Sequence, residues 1–109
     1  MPIGVTRGRR TITIQPVDLV TDFDVTKWGF PNGIRLSAVD FQPSQDGDSL
    51  IMREGSATGP VTFTRRIDTT GAGFHKAGGG RSLRVKPYIK ASEQTWGVPA
   101  GVTIVLEYD

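Results

Sequence analysis

The catalytic chemistry open to this chain depends on very few candidate bases. His75 is the only histidine and there is no cysteine, so a nucleophilic serine or threonine would need His75 or a lysine to activate it. His75 lies within residues 68–81, where glycines at 71, 73 and 78–80 predict a long flexible loop. A flexible loop does not hold a general base in position. We therefore expect His75 to be a solvated loop residue and the protein not to be an enzyme.

Two pairs of carboxylates could support hydrolysis, which needs two acids on rigid elements about 5–9 Å apart. Asp22 and Asp24 would share a face if their segment is a strand, and we expect that face to be solvated. Asp46 and Asp48 flank Gly47, and we expect them to stabilise a turn by bonding nearby backbone. The same run matches part of a calcium loop, but the further ligands and flanking helices are missing. We expect no cofactor and no metal, with a weak surface calcium site as the alternative.

Basic and aromatic residues are better suited to binding a partner, because aromatic residues and arginine are favoured at interfaces. Trp28, Phe30 and Trp96 each stand beside a glycine or a proline. Large aromatics on such turns often close the ends of a β-sandwich, so a structural role is the alternative to binding. A further possibility is a basic strand surface near Tyr88, formed by Arg65, Arg66, Arg81, Arg84, Lys86 and Lys90, that tracks single-stranded nucleic acid. The candidate partner-binding residues are Arg7, Arg9, Arg10, Trp28, Phe30, Arg65, Arg84, Tyr88 and Trp96.

The elements that must position these residues are β-strands. The chain has 109 residues, 14 Gly and 7 Pro, which suits one domain and disfavours a helical bundle. Short apolar runs of about 5–9 residues separated by Gly/Pro turns predict a small antiparallel β-sandwich or jelly-roll-like barrel. We expect five to seven strands in a domain over residues 11–109, preceded by a flexible basic arm over residues 1–10. Without cysteine, packing or assembly must stabilise the fold.

Individual strands follow from alternation. Residues 11–15 place Ile12 and Ile14 inward, and residues 101–108 predict a central last strand. Residues 34–41, whose pattern changes phase as at a bulge, and residues 49–53 predict a hairpin that turns at Asp46-Gly47. Residues 61–67 and 82–90 predict two more strands. The predicted core is Ile34, Leu36, Phe41, Val61, Phe63, Val85, Ile104 and Leu106.

Charge is mild in total and uneven along the chain. The net charge is +2, yet residues 1–10 are basic, 18–48 largely acidic and 49–109 basic again. Blocks of opposite sign could attract a neighbouring copy, although charges separated in sequence often mix on a folded surface. Residues 1–10 lack the apolar run of a signal peptide, and the apolar stretches are too short to span a bilayer. We expect a protein made in a cytoplasm and used without a membrane.

Several segments together resemble a known class of protein. They are Gly33–Leu36, Val39–Ser44, Gly47–Arg53, Gly59–Val61, Lys86–Ile89 and Val102–Tyr108. Over residues 33–109 the chain is similar to small all-β virion proteins of tailed bacteriophages, and among these to capsid decoration (cement) proteins.

The resemblance implies a structural protein of the capsid surface, made in the host cytoplasm, that binds the major capsid protein lattice and stabilises the head. We also expect a homo-oligomer, because the chain has no disulfide, a modest core and strand edges that must be covered. A trimer is the natural choice for a decoration protein on such a lattice. Apart from the resemblance, we expect the arginines of the N-terminal arm to reach the lattice and Trp28 or Trp96 to anchor contacts between copies. The alternatives are an OB-like module that binds nucleic acid and a tail-associated protein that binds carbohydrate through an exposed Trp28 or Trp96.

Overall fold

Two antiparallel β-sheets packed face to face form the fold. The computed structural model describes residues 3–68, 74–77 and 84–109. The strands are β1 Ile3–Gly8, β2 Thr11–Pro16, β3 Phe23–Asp24, β4 Leu36–Gln42, β5 Ser49–Glu54, β6 Val61–Arg66, β7 Phe74–Ala77, β8 Pro87–Ile89 and β9 Thr103–Tyr108. The first sheet has the order β1-β2-β9-β4-β7 and the second the order β3-β8-β5-β6. The described residues contain only short 3-10 helices, at Val25–Lys27, Ala91–Glu93 and Pro99–Gly101. The predicted all-β sandwich is confirmed.

Alternation identified the three inner strands of the first sheet, β2, β9 and β4. Ile12 and Ile14 of β2 are fully buried, and so are Ile104 and Leu106 of β9. β9 lies at the centre of its sheet, between β2 and β4. The phase change predicted near residue 38 is a register shift between Leu36 and Ala38 against β9. Both sheets contribute to one core, in which Phe23 and Phe41 are the largest fully buried side chains.

One member of the predicted core is wrong. Val61 is 49% exposed. It lies on β6, the edge strand of the second sheet, and a register shift between Met52 and Arg53 of β5 separates it from Phe63. Phe63, Leu36 and Val85 pack against the core but are only partly buried, and the other predicted members are buried.

The predicted hairpin between residues 34–41 and 49–53 is also wrong. β4 pairs with β9 and β7 in the first sheet, whereas β5 pairs with β6 and β8 in the second. The turn at 43–48 therefore carries the chain from one sheet to the other. Asp48 stabilises this crossing, because its buried carboxylate accepts hydrogen bonds from Ser44 within the turn and from Gly97 in the segment before β9.

Two segments expected to be irregular are strands. Residues 3–8, expected within a flexible arm, form β1 and pair with β2 over their whole length. Residues 74–77, inside the expected glycine-rich loop, form β7, where His75 stands opposite Asp40 in the register. The side chain of His75, residues 69–73 and residues 78–83, which include Arg81, lie outside what the structure describes. These added strands raise the number above the five to seven expected.

Candidate functional site

Basic side chains collect at one end of the sandwich, which we call the basic end. It comprises the tip of the β1–β2 hairpin, the segment before β4, the end of β9 and the segment before β8. Its cations are Arg7, Arg9, Arg10, Arg35, Arg84 and Lys86, and its acids among the described residues are Glu54, Glu107 and Asp109. Six cations stand against three acids there, so the basic end carries a net positive charge.

Backbone hydrogen bonds bring these separate segments together. The N–H of Tyr108 donates to the carbonyl of Arg10 at 3.0 Å, which joins the end of β9 to the hairpin tip. The next N–H, of Asp109, donates to the carbonyl of Arg35 at 3.0 Å. The strand register thus sets the spacing between the hairpin arginines and Arg35.

Arg84 joins this end through the segment before β4. Its Nη1 donates to the carbonyl of Gly33 at 3.1 Å. The neighbouring residues Ile34 and Val85 exchange two backbone hydrogen bonds of 2.8 Å. Gly33 has a φ of +80°, and a Cβ there would lie 2.3 Å from the carbonyl oxygen of Val85. Glycine is therefore required for this close approach, which holds Arg84 in place.

Two aromatic side chains, Phe30 and Tyr108, pack beside Arg7 at the basic end. The guanidinium carbon of Arg7 lies 4.7 Å from the centroid of the Phe30 ring, in a cation–π contact. The Phe30 ring meets the ring of Tyr108 edge-on, at 5.2 Å between centroids and 72° between planes. Gly29, with φ +102°, leaves room for this, because a Cβ there would lie 2.6 Å from Nη1 of Arg7. Trp28 beside it is half-buried against the core.

Arg9 and Arg10 form the exposed tip of this end. They make up a two-residue loop between the paired residues Gly8 and Thr11. Arg10 has a φ of +61°, an uncommon value for a residue other than glycine, asparagine or aspartate. The tip therefore presents two adjacent guanidinium groups on a short, well-defined turn.

Trp96 is not part of this surface. It is 5% exposed, and its Nε1 donates to the carbonyl of Ser49 at 2.9 Å. The side chain closes the sandwich from inside, as the capping interpretation expected. Because the Trp96 ring is buried in the core, it offers no exposed ring surface to a partner or a sugar.

Tyr88 is bound to a carboxylate. Its hydroxyl donates to Asp22, whose other oxygen accepts from the N–H of Ala91 at 2.9 Å. Burial, which is the larger cause, and the hydrogen bond to Asp22 together raise the pKa of Tyr88 to about 12. Asp22 and Asp24 are therefore not a solvated pair, since Asp24 accepts from the N–H of Thr26 at 2.9 Å and caps the 3-10 helix there.

The predicted basic strand surface is divided. Arg65 and Arg66 lie on β6, whereas Lys86 and Tyr88 belong to β8 and the segment before it, and β5 lies between them in the sheet. Arg65 is exposed on the edge strand, away from the basic end. The strands thus do not form the continuous basic path expected for an OB-type domain, and only Arg84 and Lys86 of that set reach the basic end.

A group of acids lies beyond the ends of β2 and β6, and three of them belong to the acidic block of residues 18–48. The acids are Asp18, Asp46, Asp48 and Asp68, and Arg66 is paired there with Asp68 at 2.8 Å. Asp18 accepts from the N–H groups of Val20 and Thr21, both at 2.8 Å, and these bonds lower its pKa. Val20 is 82% exposed beside it.

Asp48 has the most demanding environment of these acids, at 1% exposure. Burial alone would raise the pKa of its carboxyl. Hydrogen bonds from the Ser44 hydroxyl and from the N–H groups of Gly97, Ser44 and Gln45 outweigh burial and hold the pKa below its usual value. Its oxygens are committed to these donors, which fits the predicted turn role.

Gln94 is a further structural residue, and the sequence did not reveal it. Its side-chain amide accepts from the N–H of Ile51 and donates to the carbonyl of Ile51, both at 2.9 Å. The Gln94 amide therefore makes the two hydrogen bonds with Ile51 of β5 that the backbone of a neighbouring strand would otherwise make. The residue before it, Glu93, binds Arg53 in a two-oxygen ion pair, with the shortest contact at 2.8 Å.

Comparison with known proteins gives no relative: no protein family, no curated protein and no solved structure matches the chain. The described residues contain no group of three or more His, Asp or Glu side chains placed to hold a metal ion. Within the same residues, no helix has the length and apolar character needed to cross a bilayer.

Proposed function

We propose that this protein is a structural binding protein that attaches in several copies to a larger protein surface. The specific form we propose is a bacteriophage capsid decoration (cement) protein that binds the major capsid protein lattice and stabilises the head. The observation that carries the proposal is the basic end. It is a set of cationic side chains brought together by strand register, in which Arg7 is held over Phe30 and Arg84 is held by the carbonyl of Gly33.

The basic end is suited to an acidic protein surface. Guanidinium groups form bidentate hydrogen bonds with carboxylates, and arginine is favoured at the centre of interfaces. The side chains at its centre are already ordered, so binding costs less conformational entropy than it would for a flexible arm. Many copies on a repeating surface gain from avidity, so each contact can be weak.

A non-enzymatic role agrees with the way the acids are used. Asp22, Asp24 and Asp48 each bind backbone or hydroxyl donors in the fold. Such carboxylates are committed to structure and are not positioned as an acid–base pair. The virion location and the homo-oligomer that we propose rest on the resemblance to phage virion proteins, with a trimer as one arrangement of copies.

Electron microscopy of purified phage particles with and without the chain tests this proposal. We expect regular knobs on the surface of the head in particles that contain the chain, and none in particles that lack it. Location in the tail, or particles that contain none of the chain, would contradict the proposal.

The basic end also favours one other candidate function, the binding of nucleic acid. Arginines beside an aromatic ring can contact phosphates and stack on bases. The two functions differ in salt response, because phosphate binding releases counterions and weakens steeply with salt. Micromolar binding to an arbitrary single-stranded oligonucleotide at physiological salt, lost in Arg84→Glu with Lys86→Glu, would favour nucleic acid over the capsid.

A further inference from the structure

β1 is the outer strand of the first sheet, and the direction of its backbone groups follows from its neighbours. The N–H of Tyr108 donates to the carbonyl of Arg10, so the even-numbered residues of β2 bond to β9. Successive residues of an antiparallel strand point their backbone groups to opposite sides. The odd-numbered residues of β2 therefore bond to β1, where their partners are Gly4, Thr6 and Gly8.

The backbone groups of Ile3, Val5 and Arg7 consequently point away from β2, toward the free edge of the sheet. The register agrees with this assignment of bonded and outward-facing residues. Pro16 has no N–H to donate, and it stands opposite Ile3, at a position where β1 and β2 exchange no hydrogen bond. Among the described residues, no backbone hydrogen bond is made to these outward-facing groups.

The edge carries one of the features by which sheets normally block pairing, the charged side chain of Arg7, and lacks several others. β1 contains no proline and no lysine, and its register with β2 runs without a bulge. Gly4 and Gly8 add no side chain to the outer face. The guanidinium of Arg7, the only charged side chain in β1, is held over the ring of Phe30. An uninterrupted edge of this kind is a template for another strand.

We propose that β1 pairs with β1 of a second copy of this chain, antiparallel about a two-fold axis at Val5. Val5 then faces Val5 of the second copy, and Ile3 faces Arg7 of the second copy. Every outward-facing backbone group of these residues gains a partner, and no like charges stand opposite each other. The half-buried Val5 is covered, and the two first sheets become one continuous sheet.

A second copy fits better than an unrelated strand because the edge is self-complementary. Ile3 and Arg7 lie two residues before and two residues after Val5. A two-fold axis at Val5 therefore gives the backbone groups of all three residues a hydrogen-bond partner in the second copy. The inference deepens the homo-oligomer part of the proposed function, but its test needs no phage particle. Pairing uses the whole β1 edge of both copies, so it excludes a three-fold arrangement through β1. The antiparallel axis also places the two basic ends at opposite ends of the dimer, so a dimer presents one basic end at a time to a flat surface.

Measurement of the mass in solution over a range of concentrations, with wild type and two Val5 variants, tests the inference. Val5→Pro removes an N–H that faces only the free edge, and we expect it to weaken dimerisation roughly tenfold or more while circular dichroism stays unchanged. Val5→Thr keeps the N–H and the shape and should dimerise like wild type. A monomeric or trimeric wild type, or an undiminished Val5→Pro dimer, would overturn the inference.

Disulfide trapping gives a second readout that does not depend on Val5→Pro folding. The chain has no cysteine, so Val5→Cys introduces a single thiol. A directly opposed antiparallel pair has Cα atoms about 5.5 Å apart, within disulfide range. We expect mild oxidation to link Val5→Cys into a covalent dimer faster than Val20→Cys, whose site is 82% exposed and lies outside β1. Equal or slower linkage of Val5→Cys would contradict pairing at this edge.

Discussion

Replacing Asp48 with asparagine should destabilise the sandwich by disturbing the crossing between its sheets. One carboxylate oxygen of Asp48 accepts from the hydroxyl and N–H of Ser44 and from the N–H of Gln45, and the other accepts from the N–H of Gly97 at 2.9 Å. Asparagine keeps one acceptor oxygen, but its NH₂ group must then face a donor. The charge that strengthens all of these bonds is also lost.

The magnitude follows from the number of bonds affected. A hydrogen bond to a charged group contributes about 1.5–3 kcal/mol, and a donor left without a partner costs a similar amount. We therefore expect Asp48→Asn to lower the free energy of unfolding by about 2 kcal/mol. Asp48→Ala, which removes both oxygens, should cost about 4 kcal/mol. The smaller loss corresponds to roughly 10 °C in melting temperature for a domain of this size.

Urea unfolding at neutral pH and at acid pH is the assay. The pKa of Asp48 is lowered in the folded state, so its contribution is full above the usual value of 3.8 and is lost as pH falls through the folded pKa. The stability of Asp48→Asn should consequently depend less on pH below about pH 4 than that of wild type. Asp68→Asn, at an exposed ion pair, is the matched control and should change stability by less than about 0.5 kcal/mol. A loss no larger in Asp48→Asn than in this control would refute the reasoning.

Two further predictions concern the second sheet. Gln94→Ala leaves the N–H and carbonyl of Ile51 without their partners and should cost roughly 3 kcal/mol in urea unfolding, so a loss below about 1 kcal/mol would show that water replaces the amide. Tyr88 has a raised pKa of about 12, so its contribution is present below the usual value of 10.0 and is lost as pH rises toward 12. Tyr88→Phe, which cannot bond Asp22, should therefore lose less stability than wild type over that pH range, and equal losses would contradict the assigned bond.

The sequence predicted the three inner strands of the first sheet, β2, β4 and β9, because their physical cause is local. A buried strand whose outer face is polar must alternate, and β2 does so around Ile12 and Ile14. The hairpin prediction failed because turn residues show where the chain reverses but not which sheet receives the next strand. The Pro43–Asp48 stretch has the composition of a hairpin turn, yet it connects the two sheets.

The candidate site could be predicted only in part. Arg7 and Phe30 were selected for their residue types, but their contact depends on β1 lying beside β2, in a segment expected to be an arm. Arg35 joins the basic end through pairing with β9, which joins residues far apart in sequence. Trp96 was selected by the same rule as Phe30 and is instead buried, because burial of an aromatic depends on tertiary packing and not on its neighbours in the chain.

The central claim is that the basic end attaches the protein to a larger protein surface, and cosedimentation with phage heads that lack the chain tests it most directly. The variant Arg9→Glu with Arg10→Asn reverses or removes charge at the tip, and asparagine tolerates the positive φ of residue 10. Thr13→Ser, on β2 away from the tip, is the control. We predict that wild type and the control bind the heads to saturation and that the tip variant binds much more weakly. Equal binding by the tip variant and wild type would contradict the claim.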